Sequence, residues 1–290
     1  MKNRKLLYGV LCVCLVAVIT CGCNKNSEAN IQDNESEKVA IAAEEEEPDE
    51  PETEEIEEIP EPETEEIEEM EDILEPEDKI LVVIDAGHQE KGNFEKEPIG
   101  PGAEETKPKV AGGTKGCVTG VPEYQLTLEI SLKLGEELEK RGYEVLYTRT
   151  SNEVDISNAE RATIANDANA DVFIRIHANG SENSSVQGAM TICQTKNNRY
   201  NGNLYEQSKE LSEKVLDHLV ESTGCKKERV WETDTMSGIN WCNVPVSIVE
   251  VGYMTNPEED RLLNDEVYQE KIVQGIANGI DDVKYLDRAF

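Results

Sequence analysis

Five apolar runs of strand length are interleaved with segments of helical spacing, and this alternation limits what the chain can fold into. The runs lie within "KILVVIDAG" (79–87), "YEVLYTR" (143–149), "DVFIRIHAN" (171–179), "VQGAMTICQT" (186–195) and "VPVSIVEVGY" (244–253). Between them, "EYQLTLEISLKLGEELEKRG" (123–142) carries Leu126, Ile130 and Leu134 at fourfold spacing and closes on Gly142, which predicts a helix with its stop. Ser157, with Glu160 three residues on, reads as a capping box opening a helix over 157–170. A long helix is expected over 204–224, closed by Gly224, and two more over "PEEDRLLND" and "VYQEKIVQGIANGID". Strands alternating with helices predict an α/β fold: a three-layer domain with a largely parallel central sheet flanked by helices.

None of these elements begins before residue 79. Between Glu28 and Asp78 there are 26 acidic residues and one basic residue, Lys38. The segment "PETEEIEE" occurs there twice, at 51–58 and 62–69, among repeated prolines. Like-charge repulsion and low hydrophobicity predict a disordered acidic linker over 24–78. Fully extended, such a spacer reaches at most about 180 Å, at ~3.3 Å per residue. The opening "MKNRKLLYGVLCVCLVAVITCGC" has a basic start and an apolar run from Leu6 to Thr20, as an export signal does. Its end resembles a bacterial lipoprotein signal, with Gly22 before Cys23 as the lipid attachment site. An uncleaved membrane anchor and simple secretion are the alternatives, and all three put residues 79–290 outside the cytoplasm. The chain carries a net charge of −34, which argues against a nucleic-acid partner. No protein partner is identifiable.

Outside the signal the cysteines are Cys117, Cys193, Cys225 and Cys242. An even number in an exported domain permits two disulfides, although Cys193, in an apolar run, reads as a single buried thiol. No CxxC spacing suggests a thiolate metal site.

Polar residues interrupt the apolar runs near their carboxyl ends. His88 follows "VVIDAG", His177 follows "VFIRI", and Glu250 lies between Val249 and Val251. In open α/β sheets the reactive groups gather just past the carboxyl ends of strands. Glu123, after Pro122 at a helix start, is a fourth candidate. Singly, each histidine reads as a hydrogen-bonded structural residue, and Glu123 as a carboxylate meeting the helix dipole. An unpaired carboxylate within a buried strand is costly, so Glu250 calls for a cation or a proton-transfer task. Together, two histidines and one carboxylate make a zinc ligand set with an open fourth position, and a further carboxylate can serve as acid and base.

These residues stand in motifs that occur in a known order. "VVIDAGHQE", "PEYQLTLEISLKLGEELEKRGYEVLYTR", "DISNAERATIAN" with "ADVFIRIHAN", and "VPVSIVEVGYMTNPEED" together resemble zinc-dependent N-acetylmuramoyl-L-alanine amidases of the amidase-3 type, from about 79 to 283. The resemblance implies one zinc ion held by His88, Glu123 and His177, with Glu250 as catalytic acid and base. It also implies cleavage between the muramic acid lactyl group and L-alanine in peptidoglycan. A non-catalytic peptidoglycan-binding module on the same fold and a zinc peptidase of the stem peptide are the competing expectations. Ala86 and Gln89 stand where the family usually has Pro and Gly, and Arg175 where it often has Ser. Arg175 shares the face of His177, where it either meets a substrate carboxylate or pairs with an acid of the domain.

The remaining expectations are structural. Asp85 is a candidate acceptor for an imidazole N–H, and Gly87 is expected to let the backbone turn into His88. Arg149, Asp155 and Arg161 are expected to form structural pairs, Trp231 and Trp241 to pack, and His218 to be a surface residue. The glycine-rich connection from Gln89 to Pro122 is expected to cover or shape the cleft. No site-plugging helix is expected between Gly224 and Val244, which leaves an open zinc site.

Overall fold

A computed structural model of the chain describes residues 79–287. The export signal over 1–23 with Cys23 and the acidic linker over 24–78 lie outside the described residues. The expected strands form where the apolar runs lie: β1 (Leu81–Ala86), β4 (Glu144–Tyr147), β5 (Val172–Asn179), β6 (Ala189–Cys193) and β8 (Val246–Tyr253). The helices are α1 (Glu123–Lys140), α2 (Asn158–Asp167), α3 (Tyr205–Thr223), α5 (Pro257–Leu263) and α6 (Glu266–Asp281). Four further elements had no apolar signature. They are the hairpin strands β2 (Asn93–Pro98) and β3 (Thr106–Val110), the strand β7 (Lys227–Glu232), and the single turn α4 (Ser237–Asn240). β2 and β3 form a two-stranded sheet of their own, and β7 is an edge strand rich in Lys, Arg and Glu, as exposed edges tend to be.

The main sheet has the order β4-β1-β5-β8-β6-β7. β4, β1, β5 and β8 run parallel, while β6 is antiparallel to β8 and parallel to β7. The sheet is therefore largely parallel. Successive side chains point to opposite faces, and both faces are apolar, which is why the central strands read as nearly continuous hydrophobic runs. Val82, Ile84, Val172, Ile174 and Ile176 join one core, against α1, α3 and α6. Val83, Phe173, Val246 and Ile248 join the other, on the side of α2 and α4.

Local signals hold where they were legible. The Ser157 side chain accepts from the Glu160 N–H, and the Glu160 carboxylate accepts from the Ser157 N–H at 2.7 Å. Gly142 and Gly224 take φ of 92° and 72° at the ends of α1 and α3. All four cysteines outside the signal are free thiols, with Cys193 and Cys242 buried, so neither permitted disulfide forms. No described helix is long and apolar enough to cross a membrane.

α6 packs on α3 almost backbone to backbone. A Cβ on Gly279 would lie 2.4 Å from Val215 Cα, and one on Gly275 would lie 2.7 Å from Leu219 Cα. Helix backbone cannot yield as a side chain can. Gly279→Ala gains about 1 kcal/mol of helix propensity but incurs overpacking of about 1–3 kcal/mol. The expected outcome is a net loss of up to about 2 kcal/mol, read as a lower urea midpoint at unchanged slope.

Candidate metal centre

β1, β5 and β8 are parallel neighbours, so their carboxyl ends share one edge of the sheet. His88 follows β1 by two residues, and His177 stands directly across from Glu250 in the β5–β8 register. Glu123 opens α1, and its N–H donates to the Thr114 carbonyl at 3.0 Å. Four residues far apart in the chain thus meet at one place.

The donor atoms of three of them form a tight triangle. His88 Nε2 lies 3.0 Å from Glu123 Oε1, and His177 Nδ1 lies 3.2 Å from both. Three corners of a tetrahedron with bonds of 2.0–2.1 Å would be ~3.3 Å apart, so the set fits a single divalent cation. The imidazoles meet edge to face, with centroids 4.8 Å apart and planes at 80°. His88 Nδ1 donates to the Ala111 carbonyl at 2.9 Å, which leaves the Nε2 lone pair for the triangle. Glu123 accepts from the Thr114 N–H at 2.7 Å and the Ala178 N–H at 3.2 Å. Burial alone would raise the Glu123 carboxyl, but hydrogen bonds with His177 and His88 outweigh it and hold the group well below its usual range. Burial lowers His177, whereas the bond to Glu123 raises His88 against the same desolvation.

Glu250 is different. Its Oε2 is buried without a hydrogen-bond partner, and burial, with the Glu123 charge, pushes its pKa up to about 8. An orphaned carboxylate oxygen beside three donor atoms is what a cation site with a proton-handling group requires.

Asp85 does not bond either imidazole, contrary to the sequence expectation. It lies opposite Arg175 in the β1–β5 register and accepts from Arg175 Nε at 2.8 Å, Arg161 Nη1 at 2.7 Å and Thr148 Oγ1 at 2.5 Å. Desolvation of this buried carboxyl is overcome by the two guanidinium charges, which hold it far below the usual range. Arg161 therefore pairs with Asp85 rather than with Asp155. Asp155 instead accepts from Asn93 and Gln89. Arg161 continues to the carbonyls of Ala86 at 2.8 Å and His88 at 2.9 Å. Arg149 takes the carbonyls of Ala86, Gly87 and Tyr124 at 2.9, 3.1 and 2.7 Å.

These two arginines grip the turn that carries His88, which sits at φ 62°, a conformation side chains other than glycine rarely adopt. The left-handed residue is thus His88 and not Gly87. Gly87 serves another purpose: a Cβ there would fall 2.4 Å from His177 Cε1, so the missing side chain is the space the second imidazole occupies. Gln89, fully buried, accepts from Arg161 and from the Ile156 N–H. Sequence reasoning missed Arg149, Arg161 and Gln89 as parts of the site. The available signal was an arginine just after β4 and another in the first turns of α2, each among apolar or small residues.

Residues 82–282 match the family model described as N-acetylmuramoyl-L-alanine amidase. The chain belongs to that family. It is 30% identical over 160 residues to the N-acetylmuramoyl-L-alanine amidase LytC of Bacillus subtilis, a match covering 55% of this chain and 31% of LytC. It thus spans about a third of that relative's length. Among solved structures it is similar to the catalytic domain of CwlV from Bacillus (Paenibacillus) polymyxa var. colistinus, at 28% identity and TM-score 0.56, covering 71% of this chain and 99% of that one. It is likewise similar to an N-acetylmuramoyl-L-alanine amidase from Clostridium difficile 630, at 28% identity and TM-score 0.58, covering 73% and 99%.

In this amidase-family domain the centre lies in a groove. His88, Ala111, His177 and Glu250 line a cavity of about 290 Å³ on one side and one of about 590 Å³ on the other. The His88 and His177 side chains stay 14% and 15% exposed. The segment between Gly224 and Val244 forms β7 and α4 and supplies a groove wall at Thr235–Ser237 rather than a plug. The Gln89–Pro122 connection shapes the opposite wall through β3. Arg175 does line the smaller cavity, but its Nε and Nη2 are committed to Asp85 and Asn158. Trp231 and Trp241 pack against the second core, and His218 pairs with Asp282 at the surface.

Gly87→Ala tests the triangle. The added methyl displaces the His177 ring while β1 remains intact. Metal affinity is expected to fall about 10–100-fold, the range found when support of a ligand is lost. Zinc content after dialysis, with circular dichroism as the check on folding, reads the outcome.

Proposed function

We propose that the domain is a zinc-dependent peptidoglycan hydrolase that cleaves the amide between the lactyl group of N-acetylmuramic acid and L-alanine. The observation that carries this reading is the buried Glu250 carboxyl, with one oxygen unpartnered, beside the His88–Glu123–His177 triangle in an amidase-family fold. His88 Nε2, His177 Nδ1 and Glu123 Oε1 would hold the zinc, and two imidazoles with one carboxylate are a donor set zinc favours. Bound there, zinc would polarise a carbonyl and lower the pKa of water.

The chain's own residues then account for the proton traffic. Glu250 Oε2 takes a proton from the attacking water and returns it to the amide nitrogen, so that the C–N bond breaks to a lactyl carboxylate and the free amine of alanine. A carboxyl titrating near 8 can carry a proton in both directions around neutrality. Glu123, held ionised by its hydrogen bonds, stays a ligand and does not compete for that proton.

The same proposal sets the catalytic domain outside the cytoplasm, at the end of the acidic spacer over 24–78 and an anchor at Cys23. The basic, apolar and small-residue order of the first 23 residues supports that organisation.

Digestion of purified peptidoglycan tests the reaction. New alanine amino termini without new reducing sugars are expected, and a chelator should abolish them. Reducing ends, or amino termini of another residue, would point to different chemistry. Glu250→Gln is expected to retain zinc and lose about 10²–10⁴-fold in turnover, the usual share of general acid–base catalysis. Turnover within threefold of wild type would remove Glu250 from the role.

A further inference from the structure

The two arms of the groove differ in chemistry. The smaller arm, about 290 Å³, has apolar walls from Val110, Ile192, Met236 and Ile248. Among the described residues, its only other charged lining groups beyond the imidazoles are Lys107, Arg175 and the central Glu250. The larger arm, about 590 Å³, is lined, among the described residues, by small and polar groups such as Gly113, Thr114, Asn179, Ser181 and Thr255, with Glu123, Glu182 and Glu250 and no lysine or arginine.

Two features make the smaller arm cationic in a strongly acidic chain. The first is Lys107 on β3, half-buried, whose Nζ donates to the Thr235 carbonyl at 2.5 Å across the groove. Among the described residues no carboxylate lies within ion-pair distance of it, and an ammonium has two further N–H groups to give. The second is the floor. There the single charge of Asp85 faces both Arg161 and Arg175, which leaves a net positive charge beneath the arm. Buried charge of one sign in a cleft draws the opposite sign from solvent.

In peptidoglycan the residue after L-alanine is a glutamate joined through its γ-carboxyl, whose α-carboxyl is either free or amidated. Resting on the amidase reading above, we propose that Lys107 receives this free carboxylate and makes the enzyme selective for the unamidated stem. The peptide thereby occupies the hairpin-side arm, with the alanine methyl against its apolar walls. The sugar, rich in hydroxyls and uncharged, lies along the polar arm that carries no cationic side chain. Arg175, held by Asp85 and Asn158, lines the same arm and adds its charge there.

The test uses the zinc-loaded protein and two synthetic substrates, N-acetylmuramoyl-L-alanyl-γ-D-glutamate and its α-carboxamide. Wild type is expected to prefer the carboxylate by about tenfold in kcat/KM, the size of one charge-assisted hydrogen bond. In Lys107→Gln the ratio of the two kcat/KM values is expected to fall close to one, and in Lys107→Arg to return toward wild type. A purely structural role for the Lys107–Thr235 tie would lower both substrates together and leave the ratio in place. Equal use of the two substrates by wild type, or a ratio unmoved in Lys107→Gln, overturns this inference alone. No cleavage of either substrate by zinc-loaded wild type overturns the amidase reading and this inference with it.

Discussion

The site rests on one buried carboxylate. Asp85 lies at the core of the sheet with no exposure, between the guanidinium groups of Arg161 and Arg175, and the Thr148 hydroxyl completes its hydrogen bonds. Through these contacts β1 is tied to β5, to α2 and to the residue that follows β4. Removing one partner of such a buried set costs about 3–5 kcal/mol, because the charges left behind are uncompensated. The consequence that matters for chemistry is local. Arg161, anchored by Asp85, also holds the carbonyls of Ala86 and His88. It thereby fixes His88 at its positive φ and aims one imidazole at the other.

The faces of the sheet are covered unequally, and this makes room for the groove. α1, α3 and α6 cover one face with a continuous apolar core. α2 and the single turn of α4 cover only part of the other. Asp85, Arg175, His177 and Glu250 all point to that second face, as their strand parity with Val83, Phe173 and Ile248 requires. At the amino-terminal half of these strands the face is apolar and capped. Toward the carboxyl ends it becomes polar and open, and the donor atoms meet there. Glu123 enters from the opposite side of the sheet edge at the start of α1, so the triangle straddles the boundary between the two layers.

What was legible in the sequence follows from this arrangement. His88, His177 and Glu250 stood out because polar residues in buried strands have few structural reasons to be there. The helices and central strands announced themselves by period. Partnership across strands did not. Asp85 was assigned to an imidazole, whereas the register sets it beside Arg175, and no local pattern records register. The role of Gly87 was misplaced for a related reason: its missing Cβ accommodates His177, 90 residues later in the chain, and a φ argument sees only neighbours. The β2–β3 hairpin and β7 were invisible because they bury little apolar surface and so carry no hydrophobic alternation.

Chemistry and selectivity consequently reside in different kinds of structure. His177 and Glu250 sit on adjacent strands, Glu123 on a helix start and His88 on the turn gripped by Arg149 and Arg161, where packing leaves little freedom. The arms of the groove come from connections: the hairpin inserted between β1 and α1 on one wall, and the turn from β7 into α4 on the other. Such connections tolerate change without disturbing the core beneath them. Lys107 joins the two at the Thr235 carbonyl, so a single side chain ties one wall to the other. A domain built this way can keep one donor triangle and alter what its groove accepts by changing only the hairpin and the turn facing it.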